Sequence, residues 1–329
     1  MVTGDSTPRP PWLEASLRET LQRHRGHALL VHGAPGDGSW DFAMALGQAW
    51  LCEGDEHQRP CGRCAACHLY QGAAHPDQNW LIPQDIALQR HLPVEVKEGR
   101  KPSRQIRIDE VRLALDALTA SSGRGRGRVL VVFPGEALNP MAASALLKTL
   151  EEPVAGTRIV ISAAEPARLL PTIRSRCQTL RLPRPAHDEA MVWLESQQVA
   201  SPGVLLAACG GRPLDALQLH RSGMTAQGWL ALPGRIAHGD AAALAGLGPP
   251  TVLDALSKLC HDAMACAVGG EPRFFAREAF AAGLELARLS RWQRELARIL
   301  RHPDHPWNEP LLTDALVAMA SDAMRPRTA

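Results

Sequence analysis

Short apolar runs alternate with amphipathic segments over the first 184 residues of the chain. Five segments predict strands of a parallel sheet, namely His27–His32, Asn79–Ile82, Val129–Phe133, Arg158–Ser162 and Gln178–Leu182. His27–His32 and Val129–Phe133 are apolar runs of the kind that forms strands covered on both faces. Three segments with apolar residues at helical spacing predict helices between them, namely Asp41–Leu51, Ile108–Leu118 and Pro140–Glu152. Strands that alternate with helices indicate an α/β fold.

The third of these helices carries its own start and stop signals. Asn139 is a favourable N-cap and Pro140 a favourable first residue. Pro153 then ends the helix, because the residue before a proline avoids helical geometry.

After Leu182 only helical patterns remain. Pro183 to Pro185 reads as a linker, and glycines interrupt the helices at Gly210-Gly211, near Gly223, at Gly248-Pro249-Pro250 and at Gly269-Gly270. We therefore predict three domains: an α/β domain over residues 1–184, a small helical domain over 185–224 and a larger all-α domain over 225–329.

Composition narrows the functional classes. No apolar stretch approaches 18 residues, and the proline-rich start lacks the pattern of a signal peptide, so we expect a cytoplasmic chain with no membrane partner. The net charge of +2 is too small to declare a nucleic-acid-binding protein. One local basic cluster, Arg124–Arg128, fits either a solvated loop or a phosphate contact.

The segment between the first strand and the first helix resembles a phosphate-binding loop without its functional side chains. Gly33 and Gly38 fit the two glycines of GxxxxGK[ST], and Gly36 lies between them. Ser39 replaces the lysine that contacts the β- and γ-phosphates, and Trp40 replaces the hydroxyl that binds Mg²⁺. We therefore expect this degenerate loop to bind no ATP.

The second half of an ATPase site is also degenerate. An active enzyme carries two carboxylates directly after a later strand. After Val129–Phe133 the chain has Pro134 and Gly135, and Glu136 comes one position too late.

Four cysteines, Cys52, Cys61, Cys64 and Cys67, have the spacing C-x8-C-x2-C-x2-C. Four thiolates suit tetrahedral Zn²⁺, and a closed site of this kind is structural. The alternatives are disulfides, which a cytoplasmic chain disfavours, free thiols and an iron–sulfur cluster. The ferredoxin pattern would need a further cysteine where this chain has Gln71.

Two further motifs mark a resemblance. The sequence ALLKTLEEP at Ala145–Pro153, with Ser175-Arg176-Cys177 downstream, is similar to AAA+ clamp-loader subunits, and the cysteine cluster is like that of the bacterial members. The resemblance is strong over residues 25–217. It implies a RecA-like AAA+ domain with a zinc-binding insertion, a helical lid domain and an all-α collar domain.

The resemblance also implies a role for Arg176 as an arginine finger that reaches ATP on a neighbouring subunit. From residue type alone, a helix cap or a structural salt bridge is the alternative. Two sensor positions of the active members are lost here: Ala163-Ala164 follow the fourth strand, and Leu214 stands where the lid carries arginine, with Arg212 two residues away.

The implied function is that of a non-hydrolysing stator in a clamp loader, which supports ATP-dependent loading of a sliding clamp onto primed DNA. The implied partners are gamma/tau motor subunits and a delta subunit, in a hetero-pentamer within the DNA polymerase III holoenzyme. Two alternatives stay open. One is an atypical active ATPase that uses Glu136 and Arg212; the other is a zinc-dependent nucleic-acid-binding module built on the cysteines and Arg124–Arg128.

Overall fold

A computed structural model describes residues 9–33, 36–96, 99–301 and 307–326. The chain divides into two compact units, Met1–Arg184 and Pro185–Ala329.

The first unit is an α/β unit. Its elements in chain order are α1 (Pro11–Arg23), β1 (Ala28–His32), α2 (Ser39–Leu51), α3 (Ala65–Gln71), β2 (Gln78–Leu81), α4 (Gln84–Gln89), α5 (Ile108–Thr119), β3 (Arg128–Val132), α6 (Pro140–Glu151), β4 (Thr157–Ala163), α7 (Pro171–Arg174) and β5 (Gln178–Arg181). Each strand begins and ends within one residue of its predicted bounds.

The strands form one parallel sheet in the order β2-β3-β4-β1-β5. In the centre, Leu30 of β1 pairs with Ile161 of β4 and with Thr179 of β5. Leu30, Leu130 and Ile161 are almost completely buried in the core. Because all strands run in the same direction, the loops that follow β1, β3 and β4 meet at the same edge of the sheet. The predicted α/β class with a parallel sheet is confirmed.

The local signals of α6 act as predicted. The Asn139 side chain accepts a hydrogen bond from the N–H of Ala142 at 2.8 Å, and Pro140 is the first helical residue. The helix ends at Glu151, two residues before Pro153. Helix α1 was not predicted, although Leu13 and Leu17 lie one turn apart on its buried face.

The second unit consists, over its described residues, of helices and turns. Its helices are α8 (His187–Ser196), α9 (Pro202–Ala208), α10 (Pro213–Arg221), α11 (Ala226–Ala237), α12 (Pro249–Ala267), α13 (Leu286–Leu300) and α14 (Glu309–Ala323). Among the described helices of the whole chain, none combines the length and the apolar character that crossing a bilayer requires. The division into lid and collar domains at residue 224 stays a prediction.

A buried carboxylate fixes the segment that follows α12. Asp262 has no exposed surface, and its oxygens accept hydrogen bonds from the backbone N–H groups of Arg273, Phe274 and Phe275 at 2.6–2.9 Å. Phe275 in turn stacks on Trp229 of α11, with 4.8 Å between ring centroids. The carboxylate and the aromatic pair thus join α11, α12 and the segment after α12 in one core.

Candidate functional site

The glycine loop lies between β1 and α2, at the edge of the sheet where the strands end. Gly36 and Gly38 have φ of 82° and 84°, a left-handed backbone that favours glycine. Ala34 and Pro35 lie outside the described residues. Asp37 is buried within the loop, and its carboxylate is 3.6 Å from the Arg184 guanidinium. Asp37 and Arg184 thus form an ion pair at the loop, and the described loop residues themselves offer no cation to an anionic ligand.

Trp40, at the second position of α2, is buried against the end of β3. Its ring meets Phe133 edge to face, with 4.9 Å between centroids. The Arg90 guanidinium lies 4.3 Å from the centre of the Trp40 ring and 5.7 Å from that of Phe133. The position that would supply a magnesium ligand is therefore in contact with the strand that would carry the acidic pair.

The segment after β3 offers little for metal-dependent hydrolysis. Pro134 and Gly135 follow Phe133 directly, and neither has a carboxylate. One oxygen of Glu136 accepts a hydrogen bond from the backbone N–H of Glu165 at 2.6 Å. Glu136 thereby links the loop after β3 to the loop after β4.

The predicted cysteine cluster is assembled in the structure. The sulfur atoms of Cys52, Cys61, Cys64 and Cys67 all lie within 4.8 Å of one another, and those of Cys52 and Cys64 are 3.9 Å apart. Zinc–sulfur bonds of about 2.3 Å place the sulfurs of a tetrahedral site roughly 3.8 Å apart. The described cysteines form no disulfide. The four thiols therefore fit a metal ion such as zinc.

Backbone groups around the cluster favour thiolates. The N–H groups of Gly54 and Cys61 point at the Cys52 sulfur, at 3.3 and 3.4 Å. The backbone N–H of Arg63 lowers the pKa of Cys61 to about 6. Position 54 has room only for glycine, because a Cβ there would lie 2.9 Å from the Cys61 sulfur. Burial raises the pKa of Cys52 and Cys67, so these backbone N–H groups offset part of the cost of forming the thiolates that bind a metal.

The cysteine cluster is joined to the basic loop that precedes β3. Glu53, next to Cys52, accepts a hydrogen bond from the Arg124 guanidinium at 2.7 Å. The buried carboxylate of Asp77 accepts the backbone N–H groups of Gly123 and Arg124, at 2.8 and 3.1 Å. Arg128 is buried at the start of β3. The basic cluster is therefore an ordered loop in which Arg124 is paired and Arg128 is inside.

Arg176 lies just beyond α7, with about a third of its side chain exposed. Its Nη1 donates to the carbonyl oxygen of Thr172 at 2.9 Å and to the Ser175 hydroxyl at 3.3 Å. Its Nη2 pairs with the carboxylate of Glu151 at the end of α6. The structural salt bridge considered for this residue is thus present, and a role towards a neighbour's nucleotide stays a prediction.

The two sensor positions carry no group suited to phosphate. Ala163 ends β4 and Ala164 follows it. Leu214 lies in α10, where the neighbouring Arg212 is paired with Asp215 at 2.5 Å.

Two side chains of this region were missed by the sequence patterns. Arg90 follows α4 and is far along the chain from Trp40, so no motif connects them. Glu151 belongs to the ALLKTLEEP motif, and this motif could have indicated an acidic partner for Arg176.

The parallel strand order β2-β3-β4-β1-β5, the glycine loop between β1 and α2 and the helical unit that follows are those of an AAA+ fold. A solved structure of a DNA polymerase III gamma subunit-related protein from Thermotoga maritima has this fold, with a TM-score of 0.50 and 16% sequence identity. The likeness covers 95% of this chain and all of that one.

Sequence comparison gives the family. The family model described as DNA polymerase III, delta subunit, matches residues 12–186. The chain is 34% identical to DNA polymerase III subunit delta' of Pseudomonas aeruginosa over 222 residues, and 35% identical to that of Escherichia coli K12 over 216 residues. The chain therefore belongs to the family of the DNA polymerase III delta' subunit, and the resemblance to clamp-loader subunits is confirmed.

These alignments cover part of each chain. They include 66% and 64% of this chain, and 63% and 60% of the Pseudomonas and Escherichia relatives.

Proposed function

We propose that this protein is a non-hydrolysing stator subunit of a cytoplasmic clamp loader, which supports ATP-dependent loading of a sliding clamp onto primed DNA. The observation that carries the proposal is the contact between Trp40 and Phe133, 4.9 Å between ring centroids. It fills the position of the magnesium-binding hydroxyl with a ring that packs on the residue just before the two acidic positions of an active site.

Magnesium requires oxygen ligands in near-octahedral geometry, and the aromatic pair supplies none. Ser39 gives no cation for the phosphates, and the charged side chain of the loop is the Asp37 carboxylate, which is paired with Arg184. These features support a loop that binds no ATP and a chain that hydrolyses none.

Arg176 serves the ATP of a neighbouring motor subunit in this proposal. A guanidinium stays charged at neutral pH, and its planar fork can donate to two phosphate oxygens. Here it is part-exposed and held by Glu151 and Thr172. To act in trans it exchanges the Glu151 carboxylate for the γ-phosphate, which carries more negative charge.

The four cysteines hold a structural zinc ion in this proposal. Zinc with four thiolates has no open position, so it stabilises the segment from Cys52 to Cys67 and takes no part in chemistry. The sulfur separations and the N–H groups aimed at Cys52 support this assignment.

The proposed partners are gamma/tau motor subunits and a delta subunit in a hetero-pentamer within the DNA polymerase III holoenzyme, with the clamp and DNA reached through the complex. The named relatives support this membership. Besides the delta' subunits, the tau subunit of Salmonella typhimurium is 30% identical over 156 residues, 47% of this chain and 21% of that protein.

The alternatives are less well supported. An active ATPase would need Glu136 and Arg212, whereas Glu136 is hydrogen-bonded to the loop after β4 and Arg212 is paired with Asp215. A zinc-dependent nucleic-acid-binding module would use Arg124, which is paired with Glu53.

The proposal is tested by ATP hydrolysis of a reconstituted loader, stimulated by clamp and primed DNA, with wild-type chain or with Arg176→Ala. An arginine finger contributes roughly 10³–10⁵ to the rate at the site where it acts. We expect a large fall at that site with assembly unchanged on size exclusion. Arg174→Ala, at an exposed position two residues away, is the matched control. An unchanged rate for Arg176→Ala, or ATP turnover by the isolated chain, would contradict the proposal.

A further inference from the structure

Helix α13 has two faces of opposite character. The buried face consists of residues at helical spacing, Leu289, Trp292, Leu296 and Ile299. The outward face carries Arg291, Arg294 and Arg298, and Arg301 follows directly after the helix, whereas Arg288 lies at the border of the buried face.

The arginines form a line along the helix. At 3.6 residues per turn, Arg291, Arg294, Arg298 and Arg301 fall within an arc of about 80°, nearly opposite the buried face. We call these four residues the arginine stripe. With a rise of 1.5 Å per residue, the stripe is about 15 Å long.

Positive charge is concentrated on this helix. Residues 285–301 contain five arginines and two glutamates, a net charge of +3, whereas the entire chain carries +2. Glu285 pairs with Arg288 at 3.1 Å, and Glu295 pairs with Arg298 at 2.8 Å. Over the part of the chain that the structure describes, Arg291 and Arg294 have no acidic partner.

We propose that the arginine stripe binds the phosphate backbone of a nucleic acid. Arginine is well suited to phosphate, because its fork donates two parallel hydrogen bonds. The stripe presents no ring for stacking on bases, since Trp292 is buried in the opposite face. The contact is therefore with phosphates and independent of sequence.

The composition of the exposed face favours a polyanion over an acidic protein. A protein interface has an apolar centre surrounded by polar residues. The exposed Leu286 and Leu300 lie outside the arc of the stripe at 100° per residue, so its centre is charged. A line of cations matches a strand of regularly spaced phosphates.

The test measures binding of the full-length chain to a labelled single-stranded oligonucleotide by fluorescence anisotropy over a range of salt concentrations. The variant Arg291→Gln/Arg294→Gln removes two members of the stripe that have no acidic partner among the described residues. Each lost phosphate contact lowers the slope of log Kobs against log[salt] by about 0.7 for a single strand, so the slope falls by about 1.4. Arg291→Lys/Arg294→Lys retains the charge and most of the slope.

The matched control is Arg112→Gln/Arg168→Gln, which removes the same charge from exposed positions of the first unit. We expect it to leave the slope unchanged, and oligonucleotides of different base composition to bind alike. Urea denaturation checks that each variant is folded. The proposal is overturned if the wild-type chain shows no salt-dependent binding, if the stripe variant keeps the wild-type slope, or if the control loses as much.

Discussion

Replacing Trp40 by threonine restores a hydroxyl at the position where a phosphate-binding loop has one, and it removes the aromatic side chain that fills the space there. Trp40 is 5% exposed, its ring is 4.9 Å from that of Phe133, and the Arg90 guanidinium is 4.3 Å above it. The substitution therefore tests whether the lost magnesium position has become part of the core.

The expected cost follows from these contacts. Truncation of a buried tryptophan in a core destabilises a protein by about 3–5 kcal/mol. That range includes roughly 0.5–1.5 kcal/mol for the edge-to-face pair with Phe133. It also includes about 0.5–1 kcal/mol for the contact with Arg90, which faces solvent in part. The retained methyl group of threonine is offset by a hydroxyl buried at the former ring position.

The assay is urea denaturation of the full-length chain, followed by fluorescence, with nucleotide binding measured on the same samples. We expect Trp40→Thr to lower the free energy of unfolding by about 3–5 kcal/mol. Trp40→Phe, which keeps a ring against Phe133, should lose less. The double variant Ser39→Lys/Trp40→Thr should still hydrolyse no ATP, because Pro134 and Gly135 offer no carboxylate after β3.

Leu113→Ala is the control for substitution as such, because Leu113 is 72% exposed and its loss should cost less than about 0.5 kcal/mol. A loss for Trp40→Thr as small as that of the control would refute the reasoning, since Trp40 would then contribute nothing to the core. ATP turnover by the double variant would refute the interpretation of the segment after β3.

Two further predictions concern the metal and the pH. Cys64→Ser should lose one equivalent of zinc in elemental analysis and have a lower melting temperature. Cys266→Ser, outside the cluster, should keep the zinc. Retention of zinc by Cys64→Ser would contradict the metal site. Burial lowers the pKa of His24 below 6.5, so the unfolded chain takes up the proton first and the free energy of unfolding should fall as the pH drops below 6.5. In His24→Gln the free energy of unfolding should differ less between pH 7.5 and pH 5.5, as measured by urea denaturation. A difference as large as that of the wild-type chain would contradict the prediction.

Much of the first unit could be predicted because its strands β1, β3 and β4 are buried on both faces. The sequence of such a strand is an apolar run, as in Val129–Phe133. The observed strand β3 begins and ends one residue earlier than this prediction. The cysteine cluster was also predictable, since its ligands lie within sixteen residues of one another. Local spacing was sufficient in both cases.

Contacts between distant segments could not be predicted in this way. The position of Arg90 above Trp40 depends on the path of the chain after α4, which no periodicity encodes. The pairing of Glu151 with Arg176 joins the end of α6 to the turn after α7. Helix α1 and the arginine stripe, by contrast, could have been predicted from residues at helical spacing. The small net charge of the whole chain gave no indication of the stripe.

The pairing of Arg176 with Glu151 and Thr172 has a consequence for assembly. An arginine side chain loses up to about 2 kcal/mol of conformational entropy when it is fixed in one rotamer. Here the rotamer is already restricted in the single chain, by partners on α6 and α7. In the proposed trans role the Glu151 contact is exchanged for phosphate, whereas the hydrogen bonds of Nη1 to Thr172 and Ser175 remain, so folding already bears part of the ordering cost that docking would otherwise bear.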